Sequence, residues 1–394
     1  MQSRKHDGLR GGHLSKASYT AHRRAELASI SKDWRDSLLG SKRKRLDACS
    51  EEKSCVPEED RQKALETATN ELACSFKQRG TSLAQATRKL RQIVSSVQEF
   101  PDTTHLKKTV IPNLVKVLMM RRDDADAAEA VLEAAWTITN LAAGEHEVVE
   151  AVVVSALALI AHLSGWLGLP VAEQCAWALG NMAGEDAAFC NILAANGIVL
   201  PLARLMLRAT SHHAGRAAES AGATAAWALS NVLWGDPSQA KILMDVPQLP
   251  KGLVSLVQEE HDEWLHIEAA WLLAYLCAGP EMQMHTMVKH GAAEAVVRRL
   301  CSALTKGVDN EECLALLTPL LRCMGNMGAS KASSQSLLTA ESVAAVQRCA
   351  ECSNASLRAE SQWVLAMLSA LAKRTGDMST GSSLSHQQRQ TMLD

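Results

Sequence analysis

Residues 134–144 read AAWTITNLAAG, residues 175–185 CAWALGNMAGE and residues 225–235 AAWALSNVLWG. Each holds Trp-x-x-x-Asn (Trp136/Asn140, Trp177/Asn181, Trp227/Asn231) within an Ala-rich helical pattern. A spacing of four places both side chains on one helix face, one turn apart. A core helix has no use for an amide at the same place in copy after copy. A groove that grips an extended peptide does.

The copies recur at a regular interval. Trp177 follows Trp136 by 41 residues, Trp227 follows Trp177 by 50, and Trp271 follows Trp227 by 44. Trp271 lies in AAWLLAYLCAG, with Tyr275 in the Asn position. LLRCMGNMGAS then keeps Asn326 but has Arg322 in the Trp position, and QWVLAMLSA has Trp363 and Met367. A period of roughly 40–47 residues is that of HEAT and armadillo solenoids. Such a unit cannot bury its apolar face alone, so stacked neighbours build one continuous core. Composition agrees: 47% of the 394 residues are hydrophobic but only 4% aromatic, which leaves little material for strands. Apolar residues return at helical spacing in IPNLVKVL, IVLPLARLM and AAEAVVRRL, between Gly and Pro that start or stop helices. The expectation is one elongated all-α domain.

Several functions are excluded. The eleven Cys form no framework, which suits a reducing compartment. Cys349 and Cys352 make a lone C-x-x-C, and His212-His213 sits in a Ser/Gly/Ala-rich insertion, so neither metal nor cofactor is expected. No nucleophile–base constellation and no Gly-rich phosphate loop stands out, so the chain reads as no enzyme. Residues 151–172 lack Asp, Glu, Lys and Arg, but they contain His162, two Ser, two Gly and Pro170 where the repeat requires a helix, a turn and a second helix. No membrane insertion is expected there, and no apolar signal segment follows Met1.

Charge divides the chain. Residues 1–46 carry twelve Lys/Arg against four acids, about +8, and the remainder carries 29 basic against 39 acidic residues, about −10. Within the arm, a helical pattern from Ala21 to Leu39 runs into Lys42-Arg43-Lys44-Arg45, itself a nuclear-localisation-type cluster. Residues 47–78 are polar and acidic and read as a linker, 79–373 as the solenoid, and 374–394, rich in Ser and Gln, as a disordered tail.

The chain resembles importin-α, the armadillo-repeat adaptor of nuclear import, over roughly residues 20–365. The three Trp/Asn stretches resemble the family's second, third and fourth repeats, and residues 81–118 its first. Two exceptions carry the likeness further: Tyr for Asn in the fifth repeat (Tyr275) and Arg for Trp before a kept Asn in the sixth (Arg322, Asn326). The resemblance implies a right-handed superhelical solenoid of about seven repeats with a basic N-terminal arm. It implies that exposed Trp and Asn of each third helix form a ladder on the concave face. Asn amides would grip a peptide backbone and Trp faces hold Lys or Arg stems, each cation–π contact contributing roughly 0.5–2 kcal/mol.

The implied site for a basic nuclear localisation signal comprises Trp136, Asn140, Gly144, Gln174, Trp177, Asn181, Glu185, Trp227, Asn231, Glu268 and Trp271. Glu185 stands where the family favours Asp in its most selective Lys pocket. Arg322, Asn326 and Trp363 would be the remnant of a minor site, damaged by Met367 and by the small number of repeats, so bipartite signals should bind no better than monopartite ones. Arg23, Arg24, Lys32, Arg35, Lys42, Arg43, Lys44 and Arg45 would bind importin-β, and Lys42–Arg45 would compete with cargo for the groove. Implied partners are importin-β, cargo with basic signals and nuclear pore components, with no direct nucleic acid, and the implied location is shuttling between cytoplasm and nucleus. Val149 and Trp234-Gly235-Asp236 depart from the family's groove. The rival reading is an armadillo scaffold or assembly chaperone with one dedicated partner.

Overall fold

The computed structural model describes residues 58–77, 82–96, 103–121, 124–211, 214–308 and 311–375. Every regular element among them is helical. Seven long helices share the Trp/Asn register: Leu83–Ser96, Ala125–Ala142, Leu169–Glu185, Arg216–Gly235, Glu263–Cys277, Glu311–Met327 and Ala355–Thr375. Each packs directly on the next, and they are the third helices of repeats 1 to 7. The second helices, Glu58–Ser75, Ile111–Leu118, Ala156–His162, Val199–Leu207, Leu249–Gln258, Ala292–Leu304 and Ala340–Ala350, each pack on the third helix of their own repeat. The expected all-α armadillo solenoid is what the chain forms.

Local sequence fixes the helix ends. Asp124 caps the third helix of repeat 2 through Ala127 N (3.0 Å), and Asp262 caps that of repeat 5 through Trp264 N (3.0 Å). Pro170 and Pro250 stand in first turns, where the missing N–H costs nothing. Gly291, at φ 90°, makes the left-handed turn into Ala292–Leu304 that a side chain would strain.

Neighbouring repeats close each other's helix ends. His162 Nε2 lies 2.6 Å from Leu118 O, the last residue of the preceding second helix. Arg299 donates to the carbonyls of Val257 (3.0 Å), Gln258 (2.8 Å) and Glu259 (2.6 Å), and Arg348 to Leu304 O (3.2 Å). A cation at a helix C-terminus satisfies orphan carbonyls and suits the dipole. The same device thus recurs along the row of second helices.

The structure redraws three segment boundaries. The stretch read as linker contains the helix Glu58–Ser75, with Leu65, Ala68 and Leu72 buried against repeat 1. Three apolar residues at helical spacing suffice for one packed face even in a polar run. Residues 81–118 divide between two repeats, because Leu83–Ser96 is the third helix of repeat 1 and Ile111–Leu118 the second helix of repeat 2. The last helix continues through Thr375, and Arg374 Nη2 donates back to Gly328 O. Residues 151–172 end one short helix, form the helix Ala156–His162 and a turn, and begin the helix Leu169–Glu185, and among the described residues no single helix is long and apolar enough to cross a membrane.

Candidate functional site

The Asn residues have a structural use that the sequence reading denied them. Asn181 Nδ2 donates to Thr139 O (3.1 Å), Asn231 Nδ2 to Gly180 O (2.9 Å) and Asn326 Nδ2 to Ala274 O (3.2 Å). In each case the acceptor immediately precedes the equivalent position, Asn140, Asn181 or Tyr275, of the repeat before. Ala274 O also accepts its own helical bond from Ala278 N (3.0 Å), so the amide takes the second lone pair. Asn140 Nδ2 reaches Ser95 Oγ (2.6 Å) in repeat 1. A side-chain bond thus crosses these repeat boundaries, each contributing about 1 kcal/mol. An Asn so held has its amide plane fixed before any ligand arrives.

The Trp residues interlock with the same helices. A Cβ on Gly180 would overlap the Trp227 ring, and one on Gly325 the Trp363 ring. Both glycines directly precede the ladder Asn, so the Gly-Asn pairs 180–181 and 325–326 are seats for the next repeat's indole. Sequence reasoning passed over them, although the dipeptide is visible. Trp136 is half-buried, while Trp177, Trp227 and Trp271 are 6%, 4% and 2% exposed. The rings stand deeper than the exposed ladder the resemblance implies.

The acids differ in setting. Glu185 is exposed at the end of its third helix, with Oε1 3.5 Å from His146 Nδ1. Glu268 is 1% exposed. Gln174 is buried and donates to Thr139 Oγ1 (2.7 Å), tying repeat 3 to repeat 2. Gly144 is half-buried where the third helix of repeat 2 ends, its N–H donating to Leu141 O (3.0 Å). Val149 is fully buried in the core rather than in the groove. Trp234 is exposed one turn beyond Asn231.

At repeats 6 and 7, Arg322 is 3% exposed and donates from Nη2 to Glu360 Oε2 (2.7 Å), with its guanidinium 5.8 Å from the Trp363 ring centre. Asn326 keeps its ladder bond, and Met367 follows Trp363 by four residues as Asn231 follows Trp227, with its Cβ against Gly328. Repeat 1 repeats the arrangement with residues the sequence reading missed. Arg91 lies over Trp136 at 4.0 Å and its Nε donates to Glu133. The available signal was a Glu three residues before Trp in repeats 2, 5 and 7 (Glu133, Glu268, Glu360). Arg23, Arg24, Lys32, Arg35, Lys42, Arg43, Lys44, Arg45 and His212-His213 lie outside the described residues.

Two buried thiols, one of them in the C-x-x-C pair, are set against reactivity. Burial pushes the Cys277 thiol up to about 12, and burial with Cys352 beside it pushes Cys349 to about 12, whereas nucleophilic or metal-binding cysteines need the thiolate. Among the described residues no three His, Cys, Asp or Glu are placed to hold a metal ion.

No family model matches the sequence. The chain is 32% identical over 372 residues to importin subunit alpha-9 of Arabidopsis thaliana, covering 88% of this chain and 67% of that protein. It is 32% identical over 373 residues to importin subunit alpha-2 of Oryza sativa subsp. japonica, covering 89% and 66%. It therefore spans about two thirds of the length of these relatives. Among solved structures, an engineered protein matches with a TM-score of 0.55 and 22% identity, over 66% of this chain and 97% of its own. A designed armadillo repeat protein in complex with the peptide (KR)4 matches with a TM-score of 0.52 and 20% identity, over 66% and 99%. The structural matches give the armadillo fold, the sequence matches give the lineage, and the chain belongs to the importin subunit alpha family.

Proposed function

We propose that the chain is a nuclear-import adaptor. Its row of third helices, from repeat 2 to repeat 5, takes a short Lys/Arg-rich peptide in extended form, and residues 1–46 take importin-β. The observation that carries this reading is the amide ladder: Asn140, Asn181 and Asn231 stand in one register along the row, each fixed by the repeat before it. Held amides offer backbone recognition without an ordering cost at binding. Glu185, exposed at the end of the third helix of repeat 3, supplies the charge that selects a cation. The body's charge of about −10 attracts a basic ligand over distances of about a Debye length. The designed armadillo protein bound to (KR)4 supports the same ligand chemistry on this architecture.

Binding of a labelled Lys/Arg-rich signal peptide, followed by anisotropy, tests the groove, and capture of importin-β by the full chain tests the adaptor. The expected result is capture that needs residues 1–46, with peptide affinity rising when those residues are removed, because Lys42–Arg45 have the ligand's own chemistry. Peptide binding without importin-β capture would favour a scaffold or assembly chaperone. Unchanged affinity on removal of the arm would exclude competition by Lys42–Arg45.

A further inference from the structure

We propose that Arg91 is a resident occupant of the groove's first cation place, and that it limits how long a basic run the groove can read. The inference rests on the peptide-groove reading above and goes beyond it by defining one end of the groove.

Arg91 stands in repeat 1 where Trp136 stands in repeat 2, because it meets Glu133 and Trp136 of the next repeat as Arg322, in the Trp position of repeat 6, meets Glu360 and Trp363. The Arg91 guanidinium lies 4.0 Å from the centre of the Trp136 ring, and its Nε donates to Glu133, one turn before that Trp. An aromatic face with a carboxylate beside it is the place in which a ligand's Lys or Arg would be held. Here the chain's own side chain, 5% exposed, already fills it. Arg322 stands likewise over Trp363 with Glu360 at the far end of the row, at 2.7 Å from the carboxylate. Between them the equivalent positions are Trp136, Trp177, Trp227 and Trp271, none of them cationic.

Fold stability alone accounts poorly for Arg91. Apolar residues of similar volume commonly replace both partners of a buried ion pair at no loss, so the Arg91–Glu133 pair is by itself weak evidence of a stabilising role. Arg88 Nε already holds the other Glu133 oxygen at 3.0 Å, so Glu133 does not need Arg91 to be paired.

The test compares the full chain with its Arg91→Met variant, which keeps the stem and empties the ring face, and with Arg91→Lys, which keeps the charge on a point-like head. Three peptides are titrated: a Lys-Lys-Lys-Arg core between Gly/Ser flanks, and the same core with three further basic residues at one end or at the other. In wild type the extension facing repeat 1 should add little. In Arg91→Met it should add about three- to tenfold in affinity relative to the core peptide, confined to that end. Arg91→Lys should fall between, and it serves as the test should thermal melting show that Arg91→Met is unfolded. Equal ratios of extended to core peptide in wild type and variants would overturn the proposal, as would an equal gain at both ends, which would report only the lost positive charge. Failure of every basic peptide to bind wild type would instead refute the groove reading itself.

Discussion

At the residue scale, the ladder joins two tasks that the sequence presents as one. Asn181, Asn231 and Asn326 hold repeat to repeat through helical carbonyls, and the proposed groove would use the first two of these amides for a peptide as well. The Trp-x-x-x-Asn motif was legible because spacing alone puts both residues on one face. Its partners were not, since Gly180 and Arg91 meet it only across a repeat boundary. Gly180→Ala should destabilise the chain by roughly 1–3 kcal/mol, because the new methyl overlaps the Trp227 ring in a packed interface. Gly215→Ala, where an added Cβ meets nothing within 4 Å, should stay within about 0.5 kcal/mol in the same urea titrations. His266 gives a pH signature. Burial holds its pKa down to about 4, despite Nε2 lying 2.7 Å from Glu259 O, with Arg299 and His261 adding to the depression. Above pH 6.5 the ring is neutral folded or unfolded, but between 6.5 and 4 the unfolded chain takes up the proton first. Stability should therefore fall as pH drops through that window, by an amount on the order of 3 kcal/mol. His266→Gln should flatten this part of the urea-midpoint profile.

At the element scale, helices are closed by their neighbours as well as by their own caps. Asp126, in the third helix of repeat 2, accepts from Ser82 Oγ (2.6 Å) and from Leu83 N (3.2 Å) at the start of the third helix of repeat 1. Such caps join residues more than forty positions apart, which explains why helix existence was readable and helix ends were less so. The helix Glu58–Ser75 was missed for a related reason: only three of its buried residues are apolar, and its partner is another helix. The Arg322–Glu360 pair joins two third helices with both side chains buried. Glu360→Leu alone should cost roughly 3–5 kcal/mol, because it leaves a buried guanidinium without its carboxylate. Adding Arg322→Met should recover most of that loss. Two independent, additive losses would show that the two residues do not act as a pair.

At the scale of the whole molecule, repetition decided the fold before any coordinate was known, because a period near 40–47 residues admits few architectures. Arg322 in the Trp position was legible, but the depth of the Trp row and the pairing of Arg91 and Arg322 with the next repeat's Glu and Trp were not, since each depends on residues one repeat away. The central claim is that this row binds a basic peptide, and it needs variants that spare the stack. Trp177→Ala is a poor choice, because a Trp removed from a 6%-exposed position opens a cavity worth roughly 3–5 kcal/mol. The double variant Asn181→Ala, Glu185→Gln removes one ladder amide and one selecting charge while leaving the core filled. Titration of a Lys/Arg-rich signal peptide into the full chain and into this variant, with unfolding midpoints measured alongside, is the most direct test. The account predicts a fall of at least about tenfold in affinity with the variant still folded; equal affinity in the two proteins would contradict it.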